Sequence, residues 1–291
     1  MDKWVFLNGE FVTNDQAVVS IYDHGFLYGD GAFEGIRAYN GRAFKLKEHV
    51  NRLYGSLKAL GIKLNDSPEK FAQNIETLLQ KNEVKDGYIR VTATRGVCLG
   101  LDPKNLTGDA TVVVSTDKLA LYPQSMYDSG LTVVTVATRV ANPQVLEPRI
   151  KSLGKYVANI QAKLEANQMG AGEGLMLTEE GYVAECTGDN VFYLKNGVVY
   201  TPPAFVGILE GITRQTVIDL LQEAGVEVVE KVFTRFDLYT ADEAFLTGTA
   251  AEVIPMVELD GRPIGDGKPG VQTRKLIAAF REYVAKQGAG A

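Results

Sequence analysis

Gly29-Asp30-Gly31-Ala32-Phe33-Glu34-Gly35-Ile36-Arg37-Ala38-Tyr39-Asn40-Gly41-Arg42-Ala43-Phe44-Lys45 decides which kind of sheet this chain can build. Its glycines invite comparison with the G-x-G-x-x-G loop that opens a nucleotide-binding βαβ unit. The spacing is wrong for that loop, and the residues that follow read as a strand entering a hairpin. Ile36–Tyr39 and Arg42–Lys45 read as paired strands around Asn40-Gly41, because Asn and Gly tolerate the positive φ of a two-residue hairpin turn. Similar dipeptides stand at Asn8-Gly9, Glu180-Gly181, Asn196-Gly197 and Asp260-Gly261. Val191–Lys195 and Val198–Thr201 form another such pair of strands. So many hairpins imply largely antiparallel sheets and exclude a doubly wound parallel one.

Helical patterns interrupt the strands. Leu46, Val50, Leu53, Leu57 and Leu60 share one helical face with Gly61 as the stop, and a second helix after Ser67-Pro68 uses Phe71, Ile75, Leu78 and Leu79. Strands Tyr88–Thr94 and Ala110–Ser115 follow. From Lys118 to Gly130 proline and glycine break up any period, which reads as a linker. Beyond it come strand Leu131–Thr138 and helices Lys155–Gln168, Thr213–Ala224 and Val271 to about Val284. The expected organisation is α+β: a smaller N-terminal α/β domain over 1–118, a linker over 119–130, and a larger, antiparallel-rich domain over 131–291 ending in a frayed glycine-rich tail.

A chain of 291 residues can bury a large core, and its hydrophobic fraction of 45% and charged fraction of 23% are those of a globular protein. A net charge of −6 offers no basic field for nucleic acid or anionic membrane. The two cysteines, Cys98 and Cys186, form no CxxC and suit a reducing cytoplasm. Met1–Gly9 reads as a strand running into a turn, without the apolar core of a signal peptide, and no apolar run is long enough to span a bilayer. His24 reads as a turn residue and His49 as a helix-surface or cap residue. Two such histidines give hydrolase or metalloenzyme chemistry little to work with.

The remaining chemistry sits in Arg149-Ile150-Lys151-Ser152-Leu153-Gly154-Lys155-Tyr156 and in Val183-Ala184-Glu185-Cys186-Thr187-Gly188-Asp189-Asn190-Val191-Phe192. An amine that can condense with an aldehyde, a phenol, and a carboxylate on a strand are what an enzyme needs to hold pyridoxal phosphate. Lys151 follows two X-Pro steps that favour an extended approach. Lys155 competes with it on local grounds. Strand alternation puts Glu185 on the face of Val183, opposite Ala184, where a carboxylate needs a partner. Leu209-Glu210-Gly211-Ile212-Thr213-Arg214-Gln215 opens a helix suited to an anion, and Thr247-Gly248-Thr249-Ala250-Ala251-Glu252 would let backbone amides approach a ligand. Arg52 could add a fixed positive charge.

Asp23–Arg37, the Lys151 segment, Glu185–Phe192, Gly211–Arg214 and Thr247–Glu252 together resemble the fold-type IV pyridoxal-phosphate aminotransferases (the D-amino acid aminotransferase-like fold). The likeness is greatest to the branched-chain amino acid aminotransferases. The resemblance implies pyridoxal 5'-phosphate joined to Lys151, with Tyr156 donating to its phenolic oxygen and Glu185 facing its ring nitrogen. It implies a phosphate cup of Arg52, Gly211, Ile212, Thr213, Gly248 and Thr249, with Leu209 packed on the ring. Tyr28, Phe33, Gly35, Tyr88, Arg90, Thr249 and Ala250 would contact substrate. The implied reaction moves an amino group from leucine, isoleucine or valine to 2-oxoglutarate, with Lys151 carrying the Cα proton. It also implies a homo-oligomer (a dimer, or a hexamer built from dimers) in which a loop near Val97–Leu101 closes the neighbour's pocket. D-amino acid transaminases, (R)-amine transaminases and 4-amino-4-deoxychorismate lyases would share Lys151 and Glu185, so they remain alternatives.

Overall fold

A computed structural model describes residues 3–118 and 122–288. The first two residues of the expected opening strand, 119–121 of the expected linker and 289–291 of the tail lie outside the described residues. The chain divides into two compact units. One comprises Met1–Leu119, Ile150–Gly154 and Val284–Ala291; the other comprises Ala120–Arg149 and Lys155–Tyr283.

The first unit is a six-stranded antiparallel sheet of β1 (Trp4–Leu7), β2 (Glu10–Thr13), β3 (Gly31–Tyr39), β4 (Arg42–Ala43), β5 (Gly87–Thr94) and β6 (Thr111–Asp117), in the order β2-β1-β6-β5-β3-β4. α1 (His24–Tyr28) precedes β3, and α2 (Leu46–Ala59) and α3 (Pro68–Lys81) pack against the sheet. Leu53, Leu57, Ile75 and Leu78 bury their side chains among Ala32, Ile36, Ile89 and Val91, the alternate residues of β3 and β5. Each such leucine or isoleucine contributes about 2 kcal/mol. Ser67 starts α3 by accepting from the Lys70 amide, with Pro68 in the first turn, where its missing N–H costs nothing.

Glu34 also lies on that core-facing side of β3 and is fully buried. α2 brings it two partners one turn apart. Arg52 donates Nε and Nη2 to its two carboxylate oxygens (2.7 and 2.8 Å), and His49 Nδ1 stands 2.8 Å from Oε2. His49 is therefore a buried core group and not a helix-surface residue. An apolar-periodicity reading of α2 passes over it because its partner lies on a strand. Burial lowers the affinity of its ring for a proton, so it donates to Glu34 as a neutral imidazole.

β4 pairs only with Ala38 and Tyr39, which leaves the first half of β3 without a neighbour on that edge. Ile150–Gly154 fills it. Phe33 N–H donates to the Lys151 carbonyl (3.0 Å), Leu153 N–H to Gly31 (2.9 Å), and Ser152 bridges Ala32. Sequence reading assigns this segment to the larger C-terminal domain, but these backbone bonds group it with the first unit.

The second unit is built on β7 (Leu131–Thr135), β8 (Glu173–Leu177), β9 (Val183–Cys186), β10 (Asn190–Lys195), β11 (Val198–Thr201), β12 (Val228–Glu230), β13 (Glu243–Gly248), β14 (Glu252–Leu259) and β15 (Arg262–Pro263). The strand order is β12-β11-β10-β13-β14-β7-β8-β9, and β9 pairs again with β10 through Glu185 and Asn190, so six strands close on themselves. Most pairs are antiparallel; β11 with β12, β14 with β7, and β7 with β8 are parallel. α4 (Gln124–Ser129) lies in the stretch read as irregular linker, with Met126 and Tyr127 packed on the core. α5 (Tyr156–Gln168), α6 (Ile212–Glu223), α7 (Arg235–Tyr239) and α8 (Val271–Gly288) complete the elements.

The Asn-Gly and Asp-Gly turns take positive φ at both residues, whereas Glu180-Gly181 does so only at Gly181 (φ +88). That connection is instead closed by the Thr178 N–H donating to the Tyr182 carbonyl (2.8 Å) and the Gly181 N–H to the Thr178 carbonyl (3.1 Å). Among the described residues no helix is long and apolar enough to cross a membrane.

His24 opens α1 and is buried, where the sequence suggests only a turn. Its Nδ1 lies 2.7 Å from Asp30 Oδ2 and its Nε2 lies 2.8 Å from the Gly100 carbonyl. Both partners only accept, since Asp30 is itself paired with Arg95, so both ring nitrogens must carry protons. The Asp30 bond, then the Gly100 carbonyl, raise its pKa.

Two expectations follow. Burial pushes the Glu34 carboxyl up, but Arg52 and His49 outweigh it and lower it from 4.5 to about 2. A depressed carboxylate stabilises above its unfolded pKa, and that contribution is lost as pH falls toward the folded value. Glu34→Gln should therefore lower the unfolding free energy at neutral pH by about 3 kcal/mol and flatten its loss below about pH 4, measured by urea titration at several pH values. His24 has the opposite sign: its contribution is full below about pH 6.5 and is lost as pH rises through the raised folded value. Amide exchange at Gly100 and Leu101, corrected for intrinsic rate, should accelerate with rising pH in the wild type. In His24→Gln it should be fast at every pH.

Candidate active site

In the first unit, pairing with the open edge of β3 fixes the backbone of Lys151, whose own N–H donates to Ser56 Oγ (3.3 Å). Its Nζ stands 4.8 Å from the centre of the Phe33 ring, and its charge and that of Arg52 both act on His49. Close backbone approach makes this docking possible. A Cβ on Gly29 would lie 3.1 Å from Gly154 Cα, and one on Gly31 would lie 2.5 Å from the Ala93 carbonyl. The glycines of this stretch thus serve chain packing.

Phe33 and Gly35 project from the face of β3 opposite the helices. Across the ladder Gly35 pairs with Arg90, and Tyr88 with Arg37. The Arg90 guanidinium lies 3.7 Å from the Phe33 ring centre, and its Nε donates to Thr92 Oγ1. A Cβ on Gly35 would fall 2.1 Å from the Tyr88 hydroxyl, so glycine makes room for that ring to lie across β3. One sheet face therefore carries an aromatic surface, a phenol and a guanidinium. Such a face can take an apolar side chain and, with Arg90, a carboxylate. Tyr28 ends α1 half-exposed, its ring edge-on to His24 (4.8 Å between centres).

In the second unit, Glu185 does not lie where strict alternation puts it. Leu177 pairs with Val183 but Met176 pairs with Glu185, so Ala184 is the extra residue of a bulge. Val183 belongs to one core cluster, while Met176 and Ala184 belong to the cluster that includes α5. Glu185 thus comes to the α5 side. There its Oε1 accepts from Lys155 Nζ (3.1 Å) and its Oε2 from the Leu209 amide (2.8 Å). Lys155 Nζ also donates to the Pro148 carbonyl (2.9 Å). Lys155 and Glu185 are both buried. Two of the donors on Lys155 Nζ are thus engaged, one by a carboxylate and one by a carbonyl.

Leu209 is tied down again by Asn190 Nδ2, which donates to its carbonyl (2.9 Å). Gly211 follows as N-cap of α6, and a Cβ there would meet Asn190 Oδ1 at 2.1 Å. Glycine offers no side chain to cap the helix, so the amides of Ile212 and Thr213 have the geometry that suits an anion. Arg214 is engaged with Glu230 and the Pro202 carbonyl. In the neighbouring strand Thr247 pairs with Asn190, and its Oγ1 is buried without a hydrogen-bond partner among the described residues. Gly248 leaves space for Asp189, whose Oδ1 would lie 1.9 Å from a Cβ there. Thr249 and Ala250 form the turn into β14, and Tyr156 is the first residue of α5.

The first unit thus carries Arg52 on the helix side of its sheet, Phe33, Gly35, Tyr88 and Arg90 on the opposite face, and Lys151 at the edge of β3. The second assembles Glu185, Leu209, Gly211, Ile212, Thr213, Gly248, Thr249 and Ala250. Sequence reading missed Glu34 and His49, which hold Arg52; Asn190, which holds the Leu209 strap; and Lys155 as the partner of Glu185. A carboxylate at a core-facing position of β3, beside a helix carrying His49 and Arg52 three apart, was the available signal for the first two.

A family model for class IV amino-transferases matches residues 31–259. A putative branched-chain-amino-acid aminotransferase of Methanocaldococcus jannaschii is 46% identical over 285 residues, covering 98% of this chain and 97% of the relative. The crystal structure of Escherichia coli branched-chain amino acid aminotransferase superposes with a TM-score of 0.93 at 32% identity, covering 97% and 94%. That of the branched-chain aminotransferase from the thermophilic archaeon Thermoproteus uzoniensis, with norvaline, does so at 0.91 and 35%, covering 98% and 95%. On these grounds, with the arrangement of side chains described above, the chain belongs to the class IV amino-transferases.

Proposed function

We propose that this chain transfers the amino group of branched-chain L-amino acids (leucine, isoleucine, valine) to 2-oxoglutarate, using pyridoxal 5'-phosphate joined to Lys151. The observation that carries this reading is the division of labour between two lysines four residues apart. Lys155 is locked to Glu185 and Pro148, while Lys151 is held by its backbone with its amine against Phe33. The donor set fits the cofactor. The uncapped amides of Ile212 and Thr213, the unpartnered Thr247 hydroxyl, Thr249 and the Glu34-anchored Arg52 suit a phosphate, with Gly248 and Gly211 permitting close approach. Glu185 suits a ring N–H, Leu209 the ring face, and Tyr156 the phenolic oxygen.

When bound, the cofactor supplies an electron-withdrawing ring that accepts the charge left by loss of the substrate Cα proton. The chain supplies the rest. Once the substrate amine has replaced Lys151 in its link to the cofactor, the freed Lys151 Nζ would take up the Cα proton and pass it on. Glu185 keeps a proton on the ring nitrogen, and Arg52 and the α6 amides hold the phosphate against that pull. Phe33, Gly35 and Tyr88 offer an apolar surface to a branched side chain. Arg90 and Tyr28 receive the γ-carboxylate of glutamate, and Thr249 and Ala250 receive the α-carboxylate. The branched-chain names of the relatives above support this choice over D-amino acid, (R)-amine and lyase chemistry.

Two exposed apolar surfaces support a homo-oligomer, a dimer or a hexamer built from dimers. On α5, Val157, Ile160 and Leu164 stand exposed one turn apart, and in the Val97–Leu101 loop Leu99 and Leu101 are 74% and 76% exposed.

Purified protein with pyridoxal 5'-phosphate should show a visible absorbance band that borohydride bleaches, leaving an adduct on Lys151. Lys151→Ala should lose the adduct and about 10³-fold or more in rate. L-leucine and L-valine should turn over with 2-oxoglutarate. Turnover of D-alanine, (R)-1-phenylethylamine or aminodeoxychorismate in their place would overturn the substrate assignment, and an adduct on Lys155 would overturn the lysine assignment. For assembly, the wild type should sediment at twice the 31.7 kDa chain mass or more, and Ile160→Asp/Leu164→Asp should sediment as a single chain. A wild type sedimenting at the single-chain mass would refute the oligomer.

A further inference from the structure

Lys155 takes no part in the chemistry assigned above, yet it is a buried cation in direct contact with the carboxylate on which that chemistry leans. Its Nζ is 3.1 Å from Glu185 Oε1, with the two side chains 3% and 7% exposed. The Pro148 carbonyl accepts a second bond from it, and the Leu209 amide fills the other oxygen of Glu185. The plane of the carboxylate is thereby set from both ends. Other charged or titratable groups lie nearby, with Glu173, Asp189 and Lys163 acting on Cys186 beside Glu185. Tyr156 has its ring 6.0 Å from the ammonium, Glu147 on the preceding loop feels its charge, and burial pushes the neighbouring Cys186 thiol up so that it stays neutral.

A carboxylate facing a pyridine nitrogen keeps that nitrogen protonated through its negative charge. A cationic side chain 3.1 Å from the same carboxylate opposes that effect, because charges a few ångströms apart in a buried site act on one another strongly. We propose that Lys155 is a positioning residue that fixes the Glu185 carboxylate and tempers its hold on the proton of the cofactor's ring nitrogen. This inference rests on the reading that Glu185 faces that nitrogen. The ring is then a weaker electron acceptor than Glu185 alone would make it. Removal of the Lys155 charge should extend ring protonation by about one pH unit or more.

The test uses full-length protein reconstituted with pyridoxal 5'-phosphate labelled with ¹⁵N in the ring, and follows the ¹⁵N chemical shift from about pH 6 to about pH 10. In Lys155→Met the protonated shift should persist to higher pH than in the wild type. Lys155→Arg, which keeps the charge, should follow the wild type. Lys155→Gln, which keeps a donor for Pro148 but no charge, should match the methionine variant, so the test survives if methionine does not fold. Coincident shifts for wild type and the neutral variants at every pH would overturn the proposal and leave the cofactor reading intact. A Glu185→Gln protein whose ring shift equals that of the wild type, or a wild type that takes up no cofactor, would instead sink that reading.

Discussion

The backbone pairing of Ile150–Gly154 with the open edge of β3 is the constraint on which the proposed chemistry depends. A lysine on a free loop would sample many positions, and its amine would be a solvated ammonium. The two hydrogen bonds that form the Ala32–Ser152 bridge place the Cα of Lys151, and Phe33 then limits where the amine can go. The edge is open because β4 is only two residues long, and the approach is close because Gly29 carries no side chain to meet the Gly154 backbone. A short hairpin and a glycine at the point of contact, each ordinary alone, together seat the amine to which the proposed chemistry is assigned.

Buried charge is handled in the same way in both units. Glu34 is balanced by Arg52 and His49, and Glu185 by Lys155 and a backbone amide. Isolated, either carboxylate would be costly to bury; with fixed donors each becomes a rigid reference point. Arg52 is thereby presented in one orientation, and Glu185 is presented with its charge already shared. Such pre-formed donors and acceptors need not reorganise when an anionic aromatic ligand arrives.

Local rules carried much of the fold. Asn40-Gly41 and Asn196-Gly197 mark hairpins because their backbone conformation is a property of two residues. The α2 and α3 periods mark helices because apolar side chains recur on one face. The face of Glu185 escaped such rules. A bulge at Ala184 depends on how β8 pairs with β9, and one extra residue reverses which side the carboxylate takes. His49 escaped as well, since its value lies in a carboxylate fifteen residues earlier on another element. Local sequence left Lys151 and Lys155 as competitors and the resemblance favoured Lys151; the salt bridge of Lys155 to Glu185, thirty residues away, is visible only in the folded chain. The residues of the proposed site could be named from resemblance, but those that hold them in place required tertiary contacts.

The order of segments along the chain also bears on how the protein comes off the ribosome. The first unit cannot finish its sheet when residue 119 emerges, because the strip that covers β3 is synthesised only after the opening strand of the second unit. A nascent chain stopped before residue 150 displays bare amides and carbonyls at that edge and contains no Lys151. Splitting this protein after residue 119 would therefore yield an N-terminal fragment with an open sheet edge and without Lys151.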